Sequence, residues 1–280
     1  MEKGILYLCA TPIGNLDDIT YRAVEVLKSV DLIACEDTRH TLKLLNRLEI
    51  SKKLISYHEH NKASKGQSLI EDLLSGKNIA LVTDAGTPAI SDPGEDLVKL
   101  CIENNIEVIS LPGAVAGINA LIVSGLSTRR FAFEGFLPVA KGERDEALSQ
   151  IANDEHTLIF YEAPHRLRRT LKDLYDKLGN RKIAIIKELT KIHETIIRTT
   201  LADAAELYQE DEPKGEFVLV VEGFDKSVRQ QVEQEIALSV PVKVHVDRLI
   251  EEGYTKKEAI KKAAEERGLP KREVYNEYER

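Results

Sequence analysis

Five short apolar runs, each followed by a polar loop and an amphipathic segment, constrain this chain more than any other feature. They are GILYLCA, DLIACE, KLISYH, NIALVTD and IEVISLP, all within the first 112 residues. Each is rich in Ile, Leu and Val. Strands that are apolar on both faces and alternate with helices belong in a parallel sheet covered on both sides. The segments between them, around Tyr21–Ser29, Thr38–Leu48, Lys62–Ser75 and Glu95–Asn104, read as amphipathic helices. Gly76 stands where the third of these helices needs a residue free to turn left-handed.

After LPGAVAGINALIVSGL the texture changes. KIAIIKEL and ETIIRTTL follow one another with no room for a helix, which predicts antiparallel pairing within a mixed sheet. FAFEGF, TLIFYE and EFVLVVEG supply its other strands. Helices are expected over Glu143–Asn153, Arg166–Leu178 and Ala202–Gln209. Beyond Asp225 the strand signals stop. TKKE at Thr255–Glu258 reads as a capping box, Gly268 as the end of that helix and Pro270 as the first residue of the next. The expected fold is therefore α/β: an N-terminal domain at 1–126 with a mainly parallel sheet, a second α/β domain at 127–224 with a mixed sheet, and a small helical module at 225–280.

The chain of 280 residues is long enough to give each of these a core. No apolar run reaches the ~18–20 residues of a membrane span, and the run in MEKGILYLCATP is short and meets a proline, so a strand is expected there rather than a signal peptide. Three cysteines, Cys9, Cys35 and Cys101, sit in predicted strands and a helix without CxxC spacing, which suggests buried thiols in a reducing cytoplasm and no structural metal. The formal net charge of −8 argues against a general nucleic-acid binder, though not against a local basic patch.

Ligands of parallel α/β sheets bind beyond the carboxyl ends of the strands. Here those ends carry TPIGNLDD, CEDTRHT, YHEHN, TDAGTPAISDPGED and LPGAVAG. Neither GxGxxG nor GxxxxGK[ST] is present, so the usual dinucleotide and P-loop fingerprints are missing. The loop after the fourth strand is the most informative. Its glycines and prolines make it rigid, and Asp84 and Asp92 are placed to accept from hydroxyls or an amine; alternatively it is a structural turn in which Ser91 or Asp92 caps the next helix. LPGAVAG lets a ligand approach the backbone, or only packs strand against helix. Glu36, Asp37, Arg39 and His40 form either one wall of a substrate site or a helix cap with an ion pair. His58 and His60 would share a face on a strand, but no third metal ligand is placed by spacing. In FYEAPHRLRRT, Glu162 and His165 are site candidates, and Arg166, Arg168 and Arg169 form a basic edge suited to phosphate, or an ordinary solvated helix face. Lys187, Glu188, Lys191, His193 and Glu194 cluster between paired strands, and Lys214–Gly215–Glu216 precede the last strand. The lysines of the helical tail are interleaved with acids, as expected of a solvated module as much as of an RNA contact.

In this order, LCATPIGNLDDIT, ACEDTRHT, YHEHN, LVTDAGTPAISDPG, LPGAVAGINAL, FEGFLP, FYEAPHR, KELTKIHE and KGEFVLVVEG resemble the tetrapyrrole methylase (class III methyltransferase) superfamily, and within it the ribosomal RNA small subunit methyltransferase I family. The resemblance implies S-adenosylmethionine as methyl donor, held between two α/β domains. It implies 2′-O-methylation of a cytidine, position 1402 of 16S ribosomal RNA, by a cytoplasmic homodimer acting on that RNA or on the 30S subunit. Carried over by position, donor contacts fall on Asp84, Gly86, Thr87, Pro88, Ala114, Val115, Ala116, Tyr161, Lys214, Gly215 and Glu216. The first loop departs from tetrapyrrole-acting members, whose sequence is richer in glycine where Pro12–Asn15 stand here, and this fits the RNA branch.

Three readings stand at this point: an RNA 2′-O-methyltransferase, a methylase of a small tetrapyrrole-like substrate, and a non-catalytic ribosome-binding protein that keeps an adenosyl pocket. For methyl transfer, Glu36, Asp37, Glu162 and Glu188 are unranked candidate bases, and Arg39 and Lys187 candidate charge stabilisers. Thr11, Pro12 and Asn15 are expected at the rim that faces the substrate, and Arg129, Arg130, Arg166 and Arg169 at RNA phosphates.

Overall fold

The computed structural model describes residues 2–209, 213–227 and 237–280. The chain packs as two compact units, Met1–Gly223 and Phe224–Arg280. The first unit holds two five-stranded sheets. In the first sheet, β1 (Ile5–Cys9), β2 (Leu32–Cys35), β3 (Lys53–Ser56), β4 (Ile79–Val82) and β5 (Glu107–Leu111) lie in the order β3-β2-β4-β1-β5. Every pairing is parallel, with Leu6 opposite Ile79 and Cys35 opposite Val82. The strand alternation feeds two cores. Leu32 and Ala34 pack into one, with α3 (Lys62–Leu74) and α4 (Gly94–Glu103). Ile33 and Cys35 pack into the other, with α1 (Tyr21–Ser29) and α2 (Thr38–Arg47). The period of two is thus read on both faces at once, which is why these strands look continuously apolar in sequence.

The second sheet has the order β6-β7-β10-β8-β9, from β6 (Phe131–Phe136), β7 (Thr157–Glu162), β8 (Lys182–Lys187), β9 (Thr195–Thr200) and β10 (Phe217–Val221). It is mixed: β6 runs parallel to β7, while β10 is antiparallel to both β7 and β8, and β8 to β9. One face is covered by α6 (Lys141–Ile151), α7 (Pro164–Leu178) and α8 (Leu201–Leu207) around Leu148, Leu171 and Leu219. The other face is covered by α5 (Ala116–Ser124), whose Ala120 and Leu121 pack on Ile159, Ile186 and Val220. The helix that leaves β5 therefore lands on the second sheet. Cys9, Cys35 and Cys101 are buried free thiols, and burial pushes the Cys9 thiol up to about 12.

Among the described residues of the unit Phe224–Arg280, helices α9 (Val242–Glu251), α10 (Lys256–Arg267) and α11 (Lys271–Tyr278) enclose Val246, Leu249, Ile260, Ala263 and Val274. The capping box forms: the Glu258 amide donates to Thr255 Oγ1, and Glu258 Oε2 accepts from the Thr255 amide. Gly268 ends α10 in the left-handed conformation, φ 62°. Pro270 is the residue before α11 rather than its first residue. The start of the expected helical tail, at 228–236, lies outside the described residues. Among the described residues no helix is long and apolar enough to cross a membrane.

Candidate active site

The loops that follow β1, β4 and β5 are tied into one rim. Thr11 and Gly86 exchange both backbone hydrogen bonds, at 2.9 and 3.1 Å, and Thr11 Oγ1 donates to the Thr83 carbonyl at 3.1 Å. Gly86 sits at φ 89°, which a side chain would strain. Thr87 Oγ1 donates to the Ala114 carbonyl at 2.9 Å. The next turn of the chain holds two residues, Ala89 at φ 70° and Ser91 at φ 62°, in the left-handed region. Asp92 sustains them: its Oδ1 accepts from the Ala89 and Gly94 amides and its Oδ2 from the Ile90 amide. Asp92 is thus a loop brace whose reach includes the first residue of α4, where the sequence allowed either Ser91 or Asp92 as a simple cap. Strained, side-chain-braced backbone of this kind concentrates at binding sites.

Above this rim lies a cleft of about 490 Å³. Its floor and walls come from the first loops (Ile13, Gly86, Thr87, Ile90, Val115, Ala116) and from the second sheet (Tyr161, Ile186, Val218). The Tyr161 hydroxyl accepts from the Gly117 amide at 3.0 Å and so joins β7 to the start of α5; Phe133 and Phe136 meet its ring edge-on at 4.9 and 5.7 Å. Desolvation raises the Tyr161 pKa, so it stays neutral. The charged side chains that line the cleft are Glu36, Asp84, Asp92, Glu162 and Glu216; no Lys, Arg or His lines it among the described residues. Glu36 retains solvent access, yet desolvation of its carboxyl and the neighbouring Asp84 raise its pKa, against the opposing hydrogen bond from Thr83 at 3.3 Å.

Of the donor contacts expected by position, Asp84, Gly86, Thr87, Val115, Ala116, Tyr161 and Glu216 line the cleft. Ala114 offers its carbonyl to Thr87 instead, and Pro88, Lys214 and Gly215 are not among the lining residues. Gly215 has a different reason to be glycine: it turns at φ 97°, and a Cβ there would lie 2.7 Å from the Glu188 carboxylate.

The candidate bases separate by what already holds them. Glu162 is buried; it accepts from Thr170 and the Ala163 amide and pairs with Arg166 at 3.3 Å. Glu188, at φ 54°, accepts from the Glu216 amide at 2.8 Å and Lys191 at 2.9 Å. Asp37 caps α2 and pairs with Arg39, which holds its carboxyl down at about 2. Glu36 and Asp84 keep acceptor capacity toward the cavity: Asp84 Oδ1 takes the Asp37 amide at 3.1 Å. Lys187 ends β8 half-buried and does not line the cleft.

The expected RNA contacts are dispersed. Thr11 is buried and Pro12 half-buried at a second cavity, while exposed Asn15 caps a short 3₁₀ turn at Leu16–Asp18. Arg129, Arg130 and Arg169 are exposed. Arg166 is turned inward: besides Glu162, its guanidinium donates to the Leu137 carbonyl. His58 and His60 follow the end of β3 instead of sharing a strand face, and Asn61 Oδ1 accepts from the His58 amide. Sequence reasoning missed Ile13, Ile90, Phe136, Ile186 and Val218 as lining residues. For Ile186 and Val218 the available signal was their opposed register on β8 and β10.

The family model for Tetrapyrrole (Corrin/Porphyrin) Methylases matches residues 5–205. Ribosomal RNA small subunit methyltransferase I of Halalkalibacterium halodurans is 53% identical over 277 residues, 99% of this chain and 95% of the relative. The protein of that name from Bacillus subtilis is 51% identical over 99% of this chain and 94% of its own length. Among solved structures, the methyltransferase CobJ superposes with a TM-score of 0.60 at 18% identity, covering 79% of this chain and 94% of that one. Uroporphyrin-III C-methyl transferase from Thermus thermophilus, complexed with S-adenosyl homocysteine, superposes with a TM-score of 0.56 at 18% identity, over 81% of this chain and 99% of that one. These structures share the fold.

Proposed function

This chain belongs to the tetrapyrrole methylase family, and within it to the ribosomal RNA small subunit methyltransferase I proteins, and from that premise we propose that it methylates the ribose 2′-hydroxyl of a cytidine, position 1402, in 16S ribosomal RNA, using S-adenosylmethionine. The observation that carries the donor half is the charge of the cleft. Among the described residues five carboxylates and no cationic side chain line it; Glu162 and Glu216 are paired with Arg166 and Lys191, while Glu36 and Asp84 have no ion-pair partner among the described residues. Such a lining suits a ligand with a sulfonium and an ammonium group and opposes a nucleoside polyphosphate. The apolar wall of Val115, Ala116, Ile186 and Val218 suits an adenine ring, and the exposed backbone around Gly86 and Thr87 lets a ligand approach closely.

When bound, the donor supplies an electrophilic methyl group on sulfur. The chain's own contribution is to orient and to exclude water. Ile13, in the loop after β1, and Leu189, in the connection after β8, both line the cleft. Glu36 places negative charge beside the positive donor, and the braced loop at Ala89–Asp92 fixes the third side. Methylation of a ribose hydroxyl requires the nucleotide to be splayed from its helix, as single-stranded recognition generally does.

The homodimer and cytoplasmic location belong to the same reading. Phe131, Phe133, Ile118 and Ile122 are 41%, 39%, 41% and 64% exposed. Three of them line an apolar groove with Ile90 and Val115, which also line the cleft. An apolar face continuous with the site supports a second copy seated there.

Titration calorimetry tests the donor half. One molecule of S-adenosylmethionine is expected to bind per chain, and ATP is not expected to compete. Absence of donor binding, or tighter binding of ATP, would contradict the reading.

A further inference from the structure

Among the described residues the acidic cleft presents no cationic side chain to a phosphate, and an RNA strand brings phosphate wherever it brings a ribose. A second cavity, of about 210 Å³, has the missing chemistry. Pro12, Leu16 and Leu44 give it apolar walls, and Leu16 is 46% exposed. Lys43 gives it a cationic group and His40 an imidazole that can donate a hydrogen bond. They lie three residues apart on α2, so they project from one face. Both are exposed, and neither side chain makes a hydrogen bond or ion pair with a described residue. The volume falls below the ~300–1,000 Å³ of drug-sized ligand pockets, which suits one base with part of its sugar.

The two cavities meet at one side chain. Among the described residues, Asp84 alone lines both. Its Oδ1 is held by the Asp37 amide at 3.1 Å, which fixes the carboxylate, while Oδ2 has no partner among the described residues. Thr11, which also lines the smaller cavity, is spent on the Thr83 carbonyl and on Gly86.

We propose that the smaller cavity is the acceptor subsite: it takes one nucleotide of the RNA, with the base against Pro12 and Leu16, an adjoining phosphate at His40 and Lys43, and the 2′-hydroxyl at Asp84. Asp84 is then a catalytic residue that faces the acceptor. A lone pair of the 2′-oxygen forms the new O–CH₃ bond as the C–S bond breaks. Sulfur keeps the pair of that bond and becomes a neutral thioether, and the hydroxyl proton passes to the free oxygen of Asp84. The proposal rests on the ribose-methylation reading above.

Two variants of the full chain test it, each measured for donor affinity by calorimetry and for steady-state methylation of unmodified small subunits. Lys43→Glu is expected to raise KM for the subunit about 10-fold or more, leaving kcat and donor affinity within about 3-fold. Asp84→Asn keeps an acceptor for the Asp37 amide and is expected to keep donor affinity within about 3-fold while kcat falls about 100-fold or more, the range of general-base loss. Donor affinity lost in step with rate in Asp84→Asn would make Asp84 a donor ligand and overturn the proposal. An unchanged KM in Lys43→Glu would remove the RNA from this cavity. A wild-type protein that methylates subunits while both variants behave like it would overturn the subsite alone; a wild-type protein without such activity would overturn the subsite together with the reading it rests on.

Discussion

Glu36 shows how a single carboxylate can serve binding at the expense of the fold. Desolvation and Asp84 raise its pKa in the folded chain. A carboxyl whose folded pKa lies above its unfolded value loses stability as pH rises through the folded pKa, and the charged form is the strained one at neutral pH. A cation placed beside it reverses that sign. Glu36→Gln is therefore expected to be at least as resistant to heat as the native protein at pH 7, yet to bind S-adenosylmethionine about 10-fold more weakly, about 1.4 kcal/mol. In mildly acidic buffers of different ionisation enthalpy, donor binding to the native protein should release protons, and the variant should release fewer. Equal affinity and equal proton release would remove Glu36 from the donor site. At this scale the sequence displayed residue types but not their commitments. Glu162, Glu188 and Asp37 looked as available as Glu36. The Thr170 hydroxyl on Glu162 and the Glu216 amide on Glu188 come from other elements, and no spacing reveals them. The local pairs Asp37–Arg39, Glu162–Arg166 and Glu188–Lys191 were near enough in sequence to foresee.

Between elements, the first loop and the β8–β9 connection meet closely. A Cβ on Gly14 would lie 2.5 Å from Lys191 Cγ, 2.6 Å from Thr190 Oγ1 and 2.9 Å from the Leu189 carbonyl. The β8–β9 connection carries two non-glycine residues at positive φ, Glu188 at 54° and Thr190 at 65°. Because Ile13 and Leu189 flank this contact and also line the cleft, a methyl group at Gly14 should be felt in two places. Gly14→Ala is expected to cost ~1–3 kcal/mol of stability by overpacking and to lower kcat/KM for the donor, measured by denaturant unfolding and initial rates. A variant with native stability and native kcat/KM would mean that the two loops do not hold the cleft together. The elements themselves were legible. Each expected helix is present with its ends within about two residues, because periodicity, the Thr255–Glu258 box and Gly268 are all local signals. The single glycine of the first loop was not, since its reason lies some 175 residues further along the chain.

For the whole molecule, the distribution of charge resolves how an acidic protein can act on RNA. The net charge of −8 is an average over surfaces with different tasks. Carboxylates gather where a cationic donor belongs, while His40 and Lys43 flank the neighbouring cavity. The parallel order of the first sheet and the mixed order of the second were readable from run lengths and from the adjacent pair KIAIIKEL and ETIIRTTL. That α5 crosses to cover the second sheet was not readable, because a mostly apolar helix such as AGINALIVS carries no preference for either sheet. The central claim is that this architecture directs a methyl group to one ribose of the small-subunit RNA. The direct measurement is mapping of ribose methylation on 16S RNA after incubating unmodified 30S subunits with the purified protein and S-adenosylmethionine. The account predicts a single new 2′-O-methyl group, on the cytidine at position 1402. Methylation on a base, on a different nucleotide, or only on a tetrapyrrole offered in the same assay would contradict it.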